Sequence, residues 1–136
     1  MRIIEILKVD GKGRVTIPRT VRDALNIIEG GYVIMIADLN KNEILLTPTS
    51  GSGGKLLEIR ILFNDERGKL AEISEALAEM NVDQITTNCR TMRKGEVAEC
   101  TIVVEASNEM DESEIERKIS GIKGVKEVLV VPIQGH

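Results

Sequence analysis

Aromatic side chains are almost missing from this 136-residue chain, which has one Tyr, one Phe and no Trp. Proteins that read single-stranded nucleic acid stack the bases on several aromatic platforms, so recognition of the RRM type is excluded. Histidine is equally scarce: His136 is the only one, and a histidine-based metal site or a Ser/His/Asp triad lacks its parts. Two cysteines make no disulfide framework. The apolar runs, such as Val128-Leu129-Val130-Val131, fall far short of the roughly 20 residues that cross a bilayer. Met1-Arg2-Ile3 opens no signal peptide. These absences lead us to expect a cytoplasmic protein that is not an enzyme, with no cofactor, no metal and no membrane partner.

What remains is a foldable composition, 42% hydrophobic and 29% charged, whose core has to be aliphatic. The length suits one compact domain or two small ones. Thr49-Ser50-Gly51-Ser52-Gly53-Gly54 is small, polar and glycine-rich, the composition of a flexible tether. We therefore divide the chain into a domain at 1–48, a linker at 49–55 and a domain at 56–136. Charge divides with it. Residues 1–50 hold seven basic and six acidic side chains, whereas 51–136 hold eleven and sixteen. Within residues 8–22, Lys8, Lys12, Arg14, Arg19 and Arg22 face Asp10 alone, a local balance of +4 suited to phosphate.

In the first part, Ile3, Ile4, Ile6 and Leu7 read as a strand that turns at Gly11-Lys12-Gly13 into a second strand, Arg14–Ile17. Pro18 suits the first position of a helix over 18–26, with Val21, Leu25 and Ile28 as its apolar stripe and Gly30-Gly31 as its stop. Two further strands, Tyr32–Asp38 and Glu43–Thr47, flank an Asn40-Lys41-Asn42 turn. Fewer than 50 residues bury too little surface to be stable alone, so this part is expected as an obligate dimer. A twofold axis would present two basic blocks to one DNA duplex.

The string Gly13-Arg14-Val15, Ile17-Pro18, with Lys8-Val9-Asp10, Arg22 and Leu25 around it, resembles the SpoVT/AbrB swapped-hairpin DNA-binding family. That resemblance covers essentially all of residues 1–48. It implies a β-rich, interleaved dimer on double-stranded DNA, with Arg14 and Arg22 at the positions of the family's DNA-contacting arginines. Two positions depart from it: Leu7 stands where the archetype is basic, and Asp23 where it has a second arginine. The plainer reading of the basic block is a solvated face on a dimerisation module. Antitoxins of this family carry a disordered tail, whereas residues 55–136 are patterned to fold.

In the second part, Leu57, Ile59, Ile61 and Phe63 alternate as a half-buried strand. Leu70, Ile73, Leu77 and Met80 then recur at helical spacing. Ile85–Met92 and Val97–Ala106 form a hairpin about Lys94-Gly95. Asp111 caps a second helix lined by Ile115, Ile119 and Ile122, and Val125–Ile133 closes the order βαββαβ. The fold class is α+β, and this part is an antiparallel ferredoxin-like sheet with both helices on one face. A two-residue turn at Lys94-Gly95 would oppose Ile85 to Val104, Thr87 to Ile102 and Cys89 to Cys100 on the helix side, with Arg90 opposite Glu99 and Asn88 opposite Thr101 on the other. Cys89 and Cys100 are expected as reduced, packed thiols. The alternative is a redox or metal role, for which two thiols make only half a zinc shell.

Residues 56–133 resemble the ACT domain through Asn64-Asp65, Gly68 and Leu70 at the strand–helix junction and Asn81-Val82-Asp83 at the next strand. The resemblance implies a small-molecule effector, most simply an amino acid, held at a dimer interface by Asn64, Asp65, Arg67, Gly68 and Asp83. Arg67 replaces the family's usual proline, and Asp83 replaces the asparagine of serine-sensing members. The plainer reading is a platform for dimerisation only. The two resemblances together imply a one-component transcriptional regulator, a homodimer or homotetramer whose DNA binding is modulated by the effector. The alternative is a scaffold subunit that uses the ACT domain to control a biosynthetic enzyme without touching DNA.

Overall fold

A computed structural model describes residues 1–49, 54–93 and 96–133, with only the backbone at Arg93. Residues 50–53 of the expected linker, the expected turn at Lys94-Gly95 and residues 134–136 with His136 lie outside the described residues. Two compact units appear, Met1–Gly51 and Ser52–His136.

The first unit has helix α1 (Arg19–Ala24) and the antiparallel pair β1 (Val33–Asp38) and β2 (Glu43–Pro48). Asp38 takes the N–H groups of Asn40 and Lys41 on its carboxylate, which fixes the β1–β2 turn. Pro18 is the N-cap of α1, one residue earlier than its expected place inside the helix, with an extended ψ of 147°. The helix stops at Leu25, and Asn26 turns left-handed at φ 55°, so the stop precedes Gly30-Gly31. Asparagine tolerates that conformation better than other non-glycine residues.

The expected strands at Ile3–Leu7 and Arg14–Ile17 have no strand pairing within this chain. Asp10 N–H to the Arg14 carbonyl, at 3.0 Å, closes the turn between them. An isolated hairpin is marginal in water, and these segments find no further strand in their own chain. Among the described residues of this unit only Ile34 is a buried apolar side chain, while Ile4 is 79% and Ile6 100% exposed. The contacts within the unit leave most of this aliphatic surface uncovered.

The second unit runs β3 (Lys55–Asn64), α2 (Lys69–Glu79), β4 (Asp83–Arg93), β5 (Val97–Ala106), α3 (Glu112–Ser120) and β6 (Val125–Pro132). Its sheet order is β4-β5-β3-β6, all neighbours antiparallel, which is the ferredoxin-like arrangement. The alternation along β3 buries Leu57, Ile59, Ile61 and Phe63, and the same cluster holds Ile73 and Leu77 of α2 with Ile115 and Ile119 of α3. Both helices therefore cover one face. Asp111 caps α3 by accepting the Ser113 N–H at 3.0 Å. Lys69, in the first turn of α2, is buried, and its ammonium donates to the Lys123 carbonyl.

The β4–β5 register opposes Thr87 to Ile102, Asn88 to Thr101, Cys89 to Cys100 and Arg90 to Glu99. It departs twice. Gln84 pairs with Val104 and Thr86 with Val103, so the expected Ile85–Val104 pair is lost to a bulge, and next to the expected turn Thr91 pairs with Ala98 but Arg93 with Val97. Cys89 and Cys100 are joined by a disulfide, which corrects the expectation of packed free thiols. Direct opposition across neighbouring strands puts the two sulfur atoms within bonding reach. No helix among the described residues is long and apolar enough to cross a membrane.

Candidate nucleic-acid interface and effector site

The basic block is built around one carboxylate. Asp10 Oδ1 accepts the backbone N–H of Lys12 at 2.8 Å and of Arg14 at 3.0 Å, and Oδ2 accepts Arg14 Nε at 2.7 Å. Gly13, at φ +76°, donates to the Asp10 carbonyl at 3.1 Å and supplies the left-handed step that a side chain would strain. Arg22 Nε donates to the Ile17 carbonyl at 3.0 Å, tying the helix to the preceding segment. Each arginine is thus oriented through Nε–H, one of five guanidinium donors. Lys8, Lys12, Arg14, Arg19 and Arg22 are all exposed. Asp23 lies 3.8 Å from Arg19 in an exposed ion pair, so this departure from the family pattern offsets one cation of the five.

The N–H of Arg14, then its guanidinium, then the N–H of Lys12 hold the Asp10 carboxyl below its usual range. A lowered carboxylate supports the loop above its unfolded titration point and loses that contribution as pH falls through the folded one. In a carboxyl NMR titration Asp10 is expected to protonate below an aspartate in an unstructured peptide. Arg14→Ala should return it only part of the way, because the residue-14 N–H stays. An unshifted midpoint would show that the carboxylate does not hold the turn.

In the second unit Asn64 ends β3, its N–H donating to the Gly124 carbonyl at 2.8 Å. Asp65 N–H reaches the Glu96 carbonyl at 3.1 Å. Gly68 follows at φ +82° as the N-cap of α2, with no side chain capping the helix and open space where a Cβ would stand. Asp65 and Gly68 line a cavity of about 310 Å³ together with Phe63, Arg90, Cys89 and Cys100. Arg67 is exposed and Asn64 half-buried, and neither lines that cavity.

Asp83 lies elsewhere. It pairs with Glu105, which in turn pairs with Leu56 at the start of β3, and it lines a second cavity of about 370 Å³ with Asn81 and Glu109. Nine residues of strand separate that level from Asp65, about 30 Å at the usual rise per residue. One chain therefore brings Asp65 and Gly68 together and keeps Asp83 apart. Sequence reasoning missed Arg90, Cys89 and Cys100 as cavity walls. The cross-strand register was the available signal, but it does not reveal which strand edge α2 leaves open. It also missed Lys69, whose ammonium lies 3.4 Å from Glu72 and 3.9 Å from Glu66 and helps anchor the helix start behind Gly68. A lysine in a first helical turn carries no sequence sign of burial.

The fold and these two residue groups define a two-unit α+β protein. Residues 56–129 match the ACT domain model, more than half of the chain, and the protein belongs to the ACT-domain family. Residues 6–53 match the model described as antidote-toxin recognition MazE, bacterial antitoxin. No curated protein matches the chain. Among solved structures it is similar to the ACT domain from GTP pyrophosphokinase of Chlorobium tepidum, at 19% identity and TM-score 0.50, over 57% of this chain and 99% of that one. It is also similar to the C-terminal domain of the MgtC protein from Mycobacterium tuberculosis, at 10% identity and TM-score 0.52, over 62% and 93%. Both likenesses are of fold alone.

Proposed function

We propose that the protein is a cytoplasmic one-component transcriptional regulator. Residues 1–48 form an interlocked dimer that binds double-stranded DNA, 49–55 act as a tether, and 56–136 sense a small metabolite, most simply an amino acid. One observation carries this reading: the unit that holds the cationic block buries only one apolar side chain, Ile34, in a single copy and leaves most of its aliphatic side chains exposed. A second copy that buries them doubles the block and relates the copies by a twofold axis, the symmetry of a palindromic duplex site. The match to the MazE model supports the same assembly.

Lys8, Lys12, Arg14, Arg19 and Arg22 are the DNA-binding set in this reading. Asn64, Asp65, Arg67, Gly68 and Asp83 are the effector set. Since Asp83 stands about 30 Å along the sheet from Asp65, a site that uses both takes them from two copies. The N–H groups at the start of α2 suit a carboxylate and the acidic side chains an ammonium. An effector at that interface shifts DNA affinity only by its differential affinity for two subunit arrangements, typically about 1–3 kcal/mol.

The test is a duplex titration across salt concentrations. Log K should fall with log salt by about 0.9 per neutralised phosphate, and Arg14→Ala and Arg22→Ala should each weaken binding and flatten the slope. Unchanged affinity in both would transfer the reading to a scaffold subunit that controls an enzyme through its ACT domain.

A further inference from the structure

The two sulfur atoms of the Cys89–Cys100 disulfide differ in access. Cys89 is exposed on the edge strand β4, whereas Cys100 on β5 is 0% exposed. Both line the cavity of about 310 Å³ beside Gly68, which is roomy enough for a molecule of amino-acid size. Asp65 and Glu66 stand at its rim, and their carboxylates suit an ammonium. Arg90 also lines it but turns its guanidinium to Glu99, 3.2 Å away.

We propose that this cavity is a covalent site for a small aminothiol of the cysteine type, which exchanges into the disulfide and stays attached to Cys89. The proposal rests on reading the Gly68 cavity as the effector site and adds the chemical class of the effector. The ligand thiolate attacks Cys89 Sγ, forming a new S–S bond. The Cys89–Cys100 bond breaks, and Cys100 leaves as a thiolate that takes up the proton released by the incoming thiol. Exchange conserves electrons, so no outside oxidant takes part. Burial of Cys100 directs attack to Cys89, because exchange requires the attacking thiolate to reach the sulfur.

The test is intact mass and peptide mapping of the oxidised full-length protein after incubation with L-cysteine and alkylation of free thiols. The expected product gains one L-cysteine on Cys89 and one alkyl group on Cys100. Cys89→Ser should gain no L-cysteine. Asp65→Asn should slow the reaction with L-cysteine severalfold and leave the reaction with uncharged 2-mercaptoethanol unchanged. An adduct on Cys100, no adduct at all, or equal rates for L-cysteine and 2-mercaptoethanol at matched thiolate concentration would overturn the proposal. Thermal shifts with L-serine separate the two levels. A rise in melting temperature with L-serine but no L-cysteine adduct removes the covalent step and keeps the effector site. No rise with either amino acid and no adduct removes both.

Discussion

Replacing Ile4 and Ile6 together with Glu is expected to weaken duplex binding by about 100-fold or more, although neither residue carries a charge that could meet phosphate. The two side chains are among the most exposed in the chain, and burial of each against a second copy is worth about 1.5–3 kcal/mol. Charges at both positions make that burial unfavourable in both copies of the dimer. Single copies would then present one cationic block each, and the loss follows from the broken linkage of the two contacts. Hydrogen exchange supplies the second reading. Amides over residues 3–9 and 14–17, which have no strand pairing in one chain, should be protected in the native protein and unprotected in the double variant. Amides of β3, β5 and α2 should keep their protection. Ile4→Val with Ile6→Val should bind as the native protein does. Native affinity in the Glu variant would sink the interlocked dimer as the DNA-binding unit.

The second large effect is on stability. Ile59 is fully buried at the middle of β3, between Ile102 of β5 and Val130 of β6. Ile59→Ala removes buried methylenes where three strands and two helices leave little room to collapse, and it should cost about 3 kcal/mol. For a unit of this size that lowers the melting temperature by roughly 15 °C. Lys126→Ala, on an exposed side chain of β6, should change stability by less than about 0.5 kcal/mol. Calorimetry of the two variants beside the native chain checks both. A small loss at Ile59 would mean that the aliphatic cluster repacks freely.

Much of the second unit was legible because its information is local. The period-two alternation of Leu57, Ile59, Ile61 and Phe63 and the helical spacing of Ile73 with Leu77 each name a buried face without reference to any distant residue. Even the Cys89–Cys100 opposition agrees with a count outward from one turn, although the register shifts by one between Arg93 and Thr91. Its limit appears at Ile85, where one extra residue in the strand displaces the register, and no side-chain pattern announces a bulge.

The site was less legible. Asp65 and Gly68 are three residues apart, and the turn into α2 brings them to one cavity. The resemblance places Asp83 in the same site, but the antiparallel order of β3, β5 and β4 carries it to the other end of the sheet.

Composition and periodicity alone therefore determined an aliphatic, two-part α+β chain with cationic charge gathered before residue 23, since those properties are sums and repeats along the chain. Tertiary structure decided that the two sulfur atoms are bonded, that Lys69 is buried, that the proposed effector residues fall into two separate groups, and that the segments Ile3–Leu7 and Arg14–Ile17 lack strand partners in one copy. Each of these depends on which residues meet across long stretches of sequence, and a linear pattern holds no record of such meetings.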